Sequence, residues 1–333
     1  HCSASWGMDE TFSVAGDEMR NITVQWCSIA EGLNINLHAF ASLLWADGGT
    51  YSFHHNLFAH FTLRTPALQG EPGGDVFLLD FRNNVIYNYD PGGGSSGSDA
   101  FFAGPVRMNY VGNYLKPGPQ SGELTRRHAF SGGIYPFSRY FILDNVHEGT
   151  PEGTRDNWLL FGFPFGVPEE ENARIRTFEP FPTPPMQTDP ARTAYRRILA
   201  NVGTTRPVRD AVDIRIIKDL ERGGGRIIDS QDEVGGWPIL REEIAPPDTD
   251  LDGMYDEWER EHGLDPNDYS DNSLDADGDG YTNIEEFING SDPLAWTDPT
   301  IDPLEIKPEE EPSGEEPPVV TDRSPDFDGD GKV

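Results

Sequence analysis

The stretch "DVFLLDFRNNVIYN", Asp75–Asn88, places two consecutive asparagines in the middle of a strand-like apolar run. Asparagine is unfavourable inside an ordinary strand. It suits a bend, because it tolerates left-handed backbone angles and its amide can pair with a neighbouring segment. Four other runs in the first 150 residues have the same form: "NITVQWCSI", "YSFHHNLFA", "VRMNYVGNYL" and "RYFILDNVH". We therefore interpret the stretch as one unit of an internal repeat.

The repeat has a period close to that of one solenoid coil. Its polar positions are spaced 25 to 32 residues apart, at Cys2, Cys27, Asn56, Asn84, Asn113 and Asn145. Side chains in register on rungs about 4.8 Å apart form a ladder. The sequence thus predicts an all-β fold, a right-handed parallel β-helix, over residues 1–240. A β-sandwich is the alternative, but it should show turn signals every 8–12 residues or so.

The charge is strongly acidic and unevenly distributed. The chain has 58 acidic and 25 basic residues, a net charge of -33, and residues 241–333 contribute 30 of the acids but only 5 of the bases. Such a balance disfavours nucleic acid as a partner and favours cations. No apolar run approaches the roughly 20 residues of a membrane helix, so we expect no membrane partner.

Two acidic segments match the twelve-residue calcium loop, with oxygen ligands at positions 1, 3, 5, 7, 9 and 12 and glycine at position 6. They are "DTDLDGMYDEWE" and "DADGDGYTNIEE". The predicted ligands of the first are Asp248, Asp250, Asp252, the Met254 carbonyl, Asp256 and Glu259; those of the second are Asp275, Asp277, Asp279, the Tyr281 carbonyl, Asn283 and Glu286. Many carboxylate oxygens favour Ca²⁺. We predict a small calcium-binding helical module over residues 241–297; solvated acidic turns are the alternative.

The end of the chain reads as a linker and the start of another loop. Residues 298–325 are rich in Pro and Glu, which predicts a disordered acidic linker. The last eight residues, "DFDGDGKV", open a third calcium loop over residues 326–333 and resemble the start of a dockerin, which implies a scaffold protein as partner. The chain begins without Met and stops within a motif. We therefore expect a fragment of a secreted protein whose signal peptide precedes His1.

Several segments together resemble a known family. "SFHHNLFAHFTLRTP", "DFRNNVIYNY" and the closing "VGGWP" resemble secreted bacterial pectate lyases of polysaccharide lyase family 1, over roughly residues 1–240. The resemblance implies a parallel β-helix that cleaves an acidic, pectate-like plant or algal polysaccharide by calcium-assisted β-elimination. The two acidic loops resemble bacterial thrombospondin type 3-like or EF-hand-like repeats, which implies structural Ca²⁺ sites.

The resemblance also implies a catalytic base. The family has an Arg-x-Pro motif eight residues after the asparagine of its "HHN" segment, and the same count from Asn56 reaches Arg64. Pro66 would stiffen the loop that carries this arginine. Ca²⁺ on the substrate carboxylate would stabilise the anion that forms when the neighbouring proton is removed. The alternative interpretation of Arg64 is an exposed loop arginine in a salt bridge.

Three positions depart from the family pattern. The second arginine of the motif falls at Gln69, and the usual lysine is replaced, in the nearest position, by His38. The family's acidic pair for catalytic calcium corresponds approximately to Asp9 and Ser13, with Glu10 as the adjacent candidate. We therefore expect Asp9 and Glu10 to bind catalytic calcium, and His38 and Gln69 to contact substrate.

Other residues complete the candidate site. His54 and His60 are predicted to share a face that lines the groove, and Arg82 would bind a uronate carboxylate or pair with Asp80. Two further functions remain open: a glycoside hydrolase, which would need paired carboxylates in the groove, and a non-catalytic uronan-binding β-helix. Finally, residues 210–225 predict an amphipathic helix with Ala211, Ile214, Ile217 and Leu220 on its apolar face, and residues 178–190 predict an extended linker.

Overall fold

The computed structural model describes residues 1–89, 94–96, 104–123, 129–131, 138–162, 174–205, 208–239 and 244–296. The predicted linker at 298–325 and the loop fragment at 326–333, with its dockerin resemblance, lie outside the described residues.

The chain winds through three parallel sheets in strict rotation, which confirms a parallel β-solenoid. Sheet 1 contains β1 Ser3–Ser5, β4 Ser28–Ala30, β7 Leu57–Phe61, β10 Val85–Tyr89, β13 Tyr114–Lys116 and β16 Val146–His147. Sheet 2 contains β2 Val14–Gly16, β5 Leu43–Ala46, β8 Ala67–Gly70, β11 Gly94–Ser96, β14 Phe130–Ser131 and β17 Phe161–Gly162. Sheet 3 contains β3 Ile22–Gln25, β6 Thr50–His54, β9 Phe77–Arg82, β12 Val106–Val111 and β15 Arg139–Leu143.

The predicted asparagine ladder forms the corner between sheets 3 and 1. Each side-chain oxygen accepts the backbone N–H of the preceding rung: Cys27 donates to Asn56, Asn56 to Asn84, Asn84 to Asn113, Asn113 to Asn145 and Asn145 to Asn157, over 2.6 to 3.0 Å. Asn157 is not on a strand but opens a 3₁₀ turn, Asn157–Leu160.

One detail of the ladder prediction was wrong. The left-handed angle belongs to the residue before each ladder position, namely Trp26, His55, Asn83, Gly112 and Asp144, with φ between 55° and 62°. The ladder amide lies one residue later because it must point along the stack to reach the next rung.

The solenoid interior is filled by side chains in register. One column runs through sheet 3 as Val24, Phe53, Phe81, Tyr110 and Ile142. The rings of Phe81 and Tyr110 stack with centroids 5.5 Å apart. Burying each such side chain contributes roughly 1.5–3 kcal/mol, and the period-2 alternation of the strands sets which residues point inward.

Residues 178–190, which we call the strap, do not form a free linker. The side chain of Asn109 makes a reciprocal pair of hydrogen bonds with the backbone of Phe181, and Asn83 makes the same pair with Asp189, all at 2.8 to 3.0 Å. The linker interpretation was therefore wrong, because outward asparagines on the solenoid give the strap's backbone the partners that a strand would give.

Three helices that lie entirely within the described residues flank the solenoid: α1 Pro151–Arg155, α2 Ala191–Asn201 and α3 Ala211–Arg222. The predicted helix at 210–225 is thus confirmed, with Asp210 as N-cap and Gly223 in a left-handed C-cap. Its buried face was predicted only in part: Leu220 is buried as predicted, but Asp213 and Ile216 are buried as well, and Ala211 and Ile214 are exposed. Asp213 lies inward because its carboxylate accepts hydrogen bonds from Ser3 Oγ and the Thr204 N–H.

The C-terminal described part, residues 244–296, has two short helices, α4 Asp256–Glu261 and α5 Asn283–Asn289, and a 3₁₀ turn at Asp271–Ser273. The rings of Tyr255 and Trp258 each pack edge-on against Phe287, with centroids 5.0 and 5.1 Å apart. These contacts join the helix that follows the first acidic loop to the helix that follows the second.

Candidate functional site

Arg64 lies in the turn between sheets 1 and 2, just before β8. Its backbone is left-handed, with φ 66°, and its carbonyl accepts a hydrogen bond from Ser42 at 2.8 Å. The guanidinium lies over the ring of Phe40, 4.3 Å from the centroid, and 34% of the side chain is exposed. Phe40 therefore supports Arg64 from below and leaves one side of the guanidinium open to solvent.

Glu10 lies in the equivalent turn of an earlier rung and contacts Arg64. Glu10, Phe40 and Leu63 are joined by successive parallel bridges, so equivalent turns of three rungs stack in register. The Glu10 carboxylate, which is 15% exposed, forms an ion pair with the Arg64 guanidinium, whereas Asp9 is exposed. A carboxylate in contact favours the charged form of arginine. The structure thus shows Arg64 as a partly exposed loop arginine in a salt bridge, and its role as a catalytic base stays a prediction.

Sheet 2, which the chain enters after the Arg64 turn, presents a row of outward side chains, which we call the Trp45 row. Ala15, Trp45 and Gln69 are register neighbours on β2, β5 and β8, and each is only partly buried or exposed. The Trp45 indole N–H is buried and has no hydrogen-bond partner among the described residues. An indole beside an amide offers a stacking surface and a polar contact to a sugar chain.

The predicted substrate contacts fall into two groups. His38 and Gln69 belong to the Arg64 side: the His38 ring lies 4.7 Å from Phe40, and Gln69 is on β8. His54 and Arg82 are neighbours in a different sheet, sheet 3. The structure therefore does not bring the four residues together.

Arg82 is already engaged. Its guanidinium donates to both oxygens of the fully buried Asp80, at 2.7 to 2.9 Å, and to Thr188 of the strap at 2.7 Å. This decides between the two interpretations left open by the sequence in favour of the Asp80 pair. Burial, then repulsion from His55 and Arg82, holds the pKa of His54 well below its usual range.

His60 does not line the groove. It is fully buried, so the prediction of an exposed face shared with His54 was wrong. The Asn88 amide nitrogen lies 2.8 Å from His60 Nδ1, and Asp219 of α3 lies 3.8 Å from Nε2. Burial lowers the pKa of His60 to about 4, although the nearby Glu31 carboxylate opposes the shift. His60 thus serves as a neutral packing residue beneath α3.

The two acidic loops share one internal arrangement. The three aspartates at positions 1, 3 and 5 of each loop hold carboxylate oxygens within 4.8 Å of one another. The glycine at position 6 has φ near 100° and donates its N–H to the aspartate at position 1, from Gly253 to Asp248 at 3.1 Å and from Gly280 to Asp275 at 2.9 Å. Oxygen groups concentrated in this way suit a hard divalent cation.

The position-12 glutamates of the loops, Glu259 and Glu286, are fully buried. Burial, followed by repulsion from Asp250 and Asp252, raises the pKa of Glu259 to about 7; burial and the aspartates of the second loop raise the pKa of Glu286 to about 7. The position-9 side chains are turned to their own loops: Asp256 accepts the Thr249 N–H and Asn283 accepts the Ala276 N–H.

Sequence reasoning missed two contributors. Phe40 supports Arg64. This contact depends on the stacking of turns from successive rungs, and because those turns differ in length the sequence contains no clearer sign of it. Asp271 lies outside both twelve-residue loops, yet its carboxylate is grouped with those of Asp252 and Glu259. Within the described residues, the carboxylate groups able to hold one metal ion lie in this C-terminal part, and none of them includes Asp9 or Glu10.

Three curated proteins are similar to this chain over most of its length. Proteins named probable pectate lyase C from Aspergillus flavus, Aspergillus fumigatus and Emericella nidulans are each 33% identical over 301 residues. The chain is thus similar to proteins named probable pectate lyase. The match covers 89% of this chain and 64–65% of the relatives, so the chain spans somewhat under two thirds of their length. Residues 1–240 make up a smaller fraction of the chain than the 89% that is matched, so the similarity continues beyond the solenoid. No family model matches the chain.

Among the helices of the described residues, none has the length and apolar character required to cross a membrane.

Proposed function

We propose that this chain is a polysaccharide lyase that cleaves a pectate-like polysaccharide by β-elimination, with Arg64 as the base. The position of Arg64 carries the proposal: it is partly exposed, supported by Phe40, and lies in the turn that leads into β8, the strand that carries Gln69 of the Trp45 row. The relatives named pectate lyase supply the reaction class and the substrate class.

In the proposed reaction a base removes the proton from the carbon beside the uronate carboxylate. The electron pair forms a carbon–carbon double bond, the glycosidic carbon–oxygen bond breaks, and the leaving oxygen takes a proton from water. Arg64 acts as the base only after its contact with Glu10 is released, because that contact favours the charged guanidinium. Phe40 and the fixed turn backbone hold the guanidinium where the sugar would lie.

Calcium is part of the proposed reaction, but the residues around Arg64 do not by themselves form a calcium site. When bound to the uronate carboxylate, it would stabilise the developing anion. Asp9 and Glu10 alone do not form the multi-carboxylate set that Ca²⁺ prefers, since Asp9 is exposed and Glu10 is paired with Arg64. We therefore assign no step to calcium through these residues. We also propose that the protein is secreted, which is consistent with loops that would be filled at extracellular calcium concentrations.

The experiment follows ultraviolet absorbance of the unsaturated product on polygalacturonate, with calcium and with chelator. Arg64→Ala should abolish the absorbance rise, and Arg222→Ala, which removes an exposed arginine from the end of α3, should leave it unchanged. A rise that survives in Arg64→Ala would refute Arg64 as the base.

One observation favours a second function. The Arg64–Glu10 ion pair and Gln69, where the family has arginine, leave a surface suited to binding without turnover. A wild-type chain that binds polygalacturonate in a gel-shift assay but gives no absorbance rise would be a uronan-binding solenoid. A glycoside hydrolase is disfavoured, because Glu10 is engaged by Arg64 and Asp9 lies at the surface.

A further inference from the structure

The first acidic loop has one carboxylate more than its twelve residues provide. Asp271, which is 6% exposed, places a carboxylate oxygen within 4.8 Å of oxygens from Asp252 and Glu259. Asp271 lies in the 3₁₀ turn Asp271–Ser273, twelve residues after the loop ends at Glu259. No such ligand is part of the loop motif.

Several buried carboxylate oxygens in and beside this cluster have no hydrogen-bond partner among the described residues. Glu259 is 0% exposed, and both its carboxylate oxygens have no hydrogen-bond partner among the described residues. One oxygen each of Asp250, Asp252 and Asp271 is in the same condition. A buried carboxylate without a donor or a counter-charge is strongly unfavourable. The cluster therefore has the chemistry of a cation site rather than of a solvated acidic turn.

Asp271 supplies the ligand that position 9 does not. Asp256 at position 9 accepts hydrogen bonds from the Thr249 N–H at 2.7 Å, from Thr249 Oγ1 at 2.9 Å and from Arg260 at 3.0 Å. Both of its oxygens are thus used to close the loop. Ca²⁺ takes six to eight oxygen ligands and prefers several carboxylates, and Asp271 adds one to those of Asp252 and Glu259.

The segment that carries Asp271 also contacts both loops. Asn272 donates its amide to the Asp252 carbonyl at 3.0 Å, on the first loop. Asn283, at position 9 of the second loop, donates its amide to the Asp271 carbonyl at 2.8 Å, and its N–H to the Leu274 carbonyl at 2.7 Å. A cation that fixes Asp271 therefore fixes the backbone to which the second loop is bonded.

We propose that Asp271 is a calcium ligand of the first loop, and that the segment Asp271–Leu274 couples calcium binding at the two loops. Coupling of this kind is reciprocal, since each ion stabilises the same arrangement of one shared segment. The proposal does not depend on lyase activity, and its test uses calcium alone.

The test is isothermal titration of the whole chain with calcium chloride after chelator treatment. Wild type should bind two ions. Asp271→Asn, which keeps an acceptor for the Asp265 N–H but removes the charge, should weaken one site at least tenfold. Asp268→Asn is the matched control, because it makes the same charge change in the same segment at an exposed residue, and it should leave both affinities unchanged.

A second variant tests the coupling. Asp275→Asn disables the second loop and should weaken the first site at least threefold, although Asp275 contributes nothing to that site. Unchanged affinities in Asp271→Asn would refute Asp271 as a ligand, and an unchanged first site in Asp275→Asn would refute the coupling.

Thermal unfolding in chelator separates binding from folding. Asp271→Asn removes repulsion from the cluster and should therefore melt no lower than wild type without calcium. If Asp271→Asn melts at a lower temperature than wild type, the titration uses Asp271→Glu instead, because that variant keeps the charge but displaces the carboxylate. An Asp271→Glu chain with wild-type affinity would then also contradict the proposed geometry.

Discussion

The asparagine ladder makes a quantitative prediction at its centre, Asn84. The Asn84 side-chain oxygen accepts from the Asn56 N–H and from the Asn56 amide, both at 3.0 Å. Its amide nitrogen donates to the Phe53 carbonyl at 2.8 Å and to the Asn113 side-chain oxygen at 3.3 Å. Asn84→Ala removes all four contacts from a position with no exposed surface.

The expected cost follows from the two backbone groups that lose this partner. Each buried polar group left unsatisfied costs about 1–3 kcal/mol, so the Asn56 N–H and the Phe53 carbonyl together predict a loss of about 2–6 kcal/mol. Cys27→Ala is the matched control in the same column. The Cys27 thiol makes only weak hydrogen bonds, such as that to the Gln25 carbonyl at 3.3 Å, and the N–H bond of Cys27 to Asn56 persists in the variant. We expect that variant to lose about 1 kcal/mol.

The assay is urea unfolding followed by far-ultraviolet circular dichroism in excess calcium, with free-energy differences taken from the midpoint shifts at a common slope. An Asn84→Ala chain that is no less stable than Cys27→Ala would refute the reasoning. That result would mean that water can replace the asparagine amide as the hydrogen-bond partner of the backbone groups at this corner of the solenoid.

Three further outcomes are expected. Arg64→Lys should retain binding to polygalacturonate but lose most turnover in the absorbance assay, because a lysine cannot reproduce the planar guanidinium over Phe40; wild-type turnover would contradict this. Trp45→Ala should raise KM several-fold with a smaller change in kcat, if the Trp45 row binds the sugar chain; an unchanged KM would place the substrate elsewhere. The pKa of His60 is near 6.5 in the unfolded chain and about 4 in the folded chain. The stabilising contribution of neutral His60 is therefore complete above pH 6.5, and the free energy of unfolding falls by about 3 kcal/mol as the pH drops to 4. His60→Asn, which repeats the residue type of Asn88 in the next rung, should remove that pH-dependent loss, whereas His38→Gln at an exposed position should not; equal pH profiles would refute it.

The solenoid could be predicted because its signal repeats. Asparagines at one coil spacing have a single common explanation, whereas the strands of sheet 2 carry no comparable signal. Strand β8, "ALQG", and strand β2, "VAG", are too short and too small in their side chains to stand out from loops. The positions of these two strands can be assigned only after the strands of sheets 3 and 1 have defined each coil.

The site was only partly predictable for a similar reason. Arg64 could be found by counting from Asn56, because the two residues belong to one coil. Contacts between distant segments could not: the strap reaches Arg82 through Thr188, 106 residues later in the chain. The buried face of α3 was missed because Asp213 is paired with Ser3, 210 residues earlier.

The last rung of the ladder has a consequence for self-association. Without Asn157, Asn145 would leave its backbone N–H without a partner at the end of the column, an edge on which a second chain could add its own rung. Asn157 occupies that place from a 3₁₀ turn: its side-chain oxygen accepts both donors of Asn145, and its amide returns to the Asn145 carbonyl at 2.9 Å. Among the described residues, the ladder thus ends on a side chain in a 3₁₀ turn instead of on a strand, so the Asn145 N–H is already bonded and is not offered to another chain at this corner.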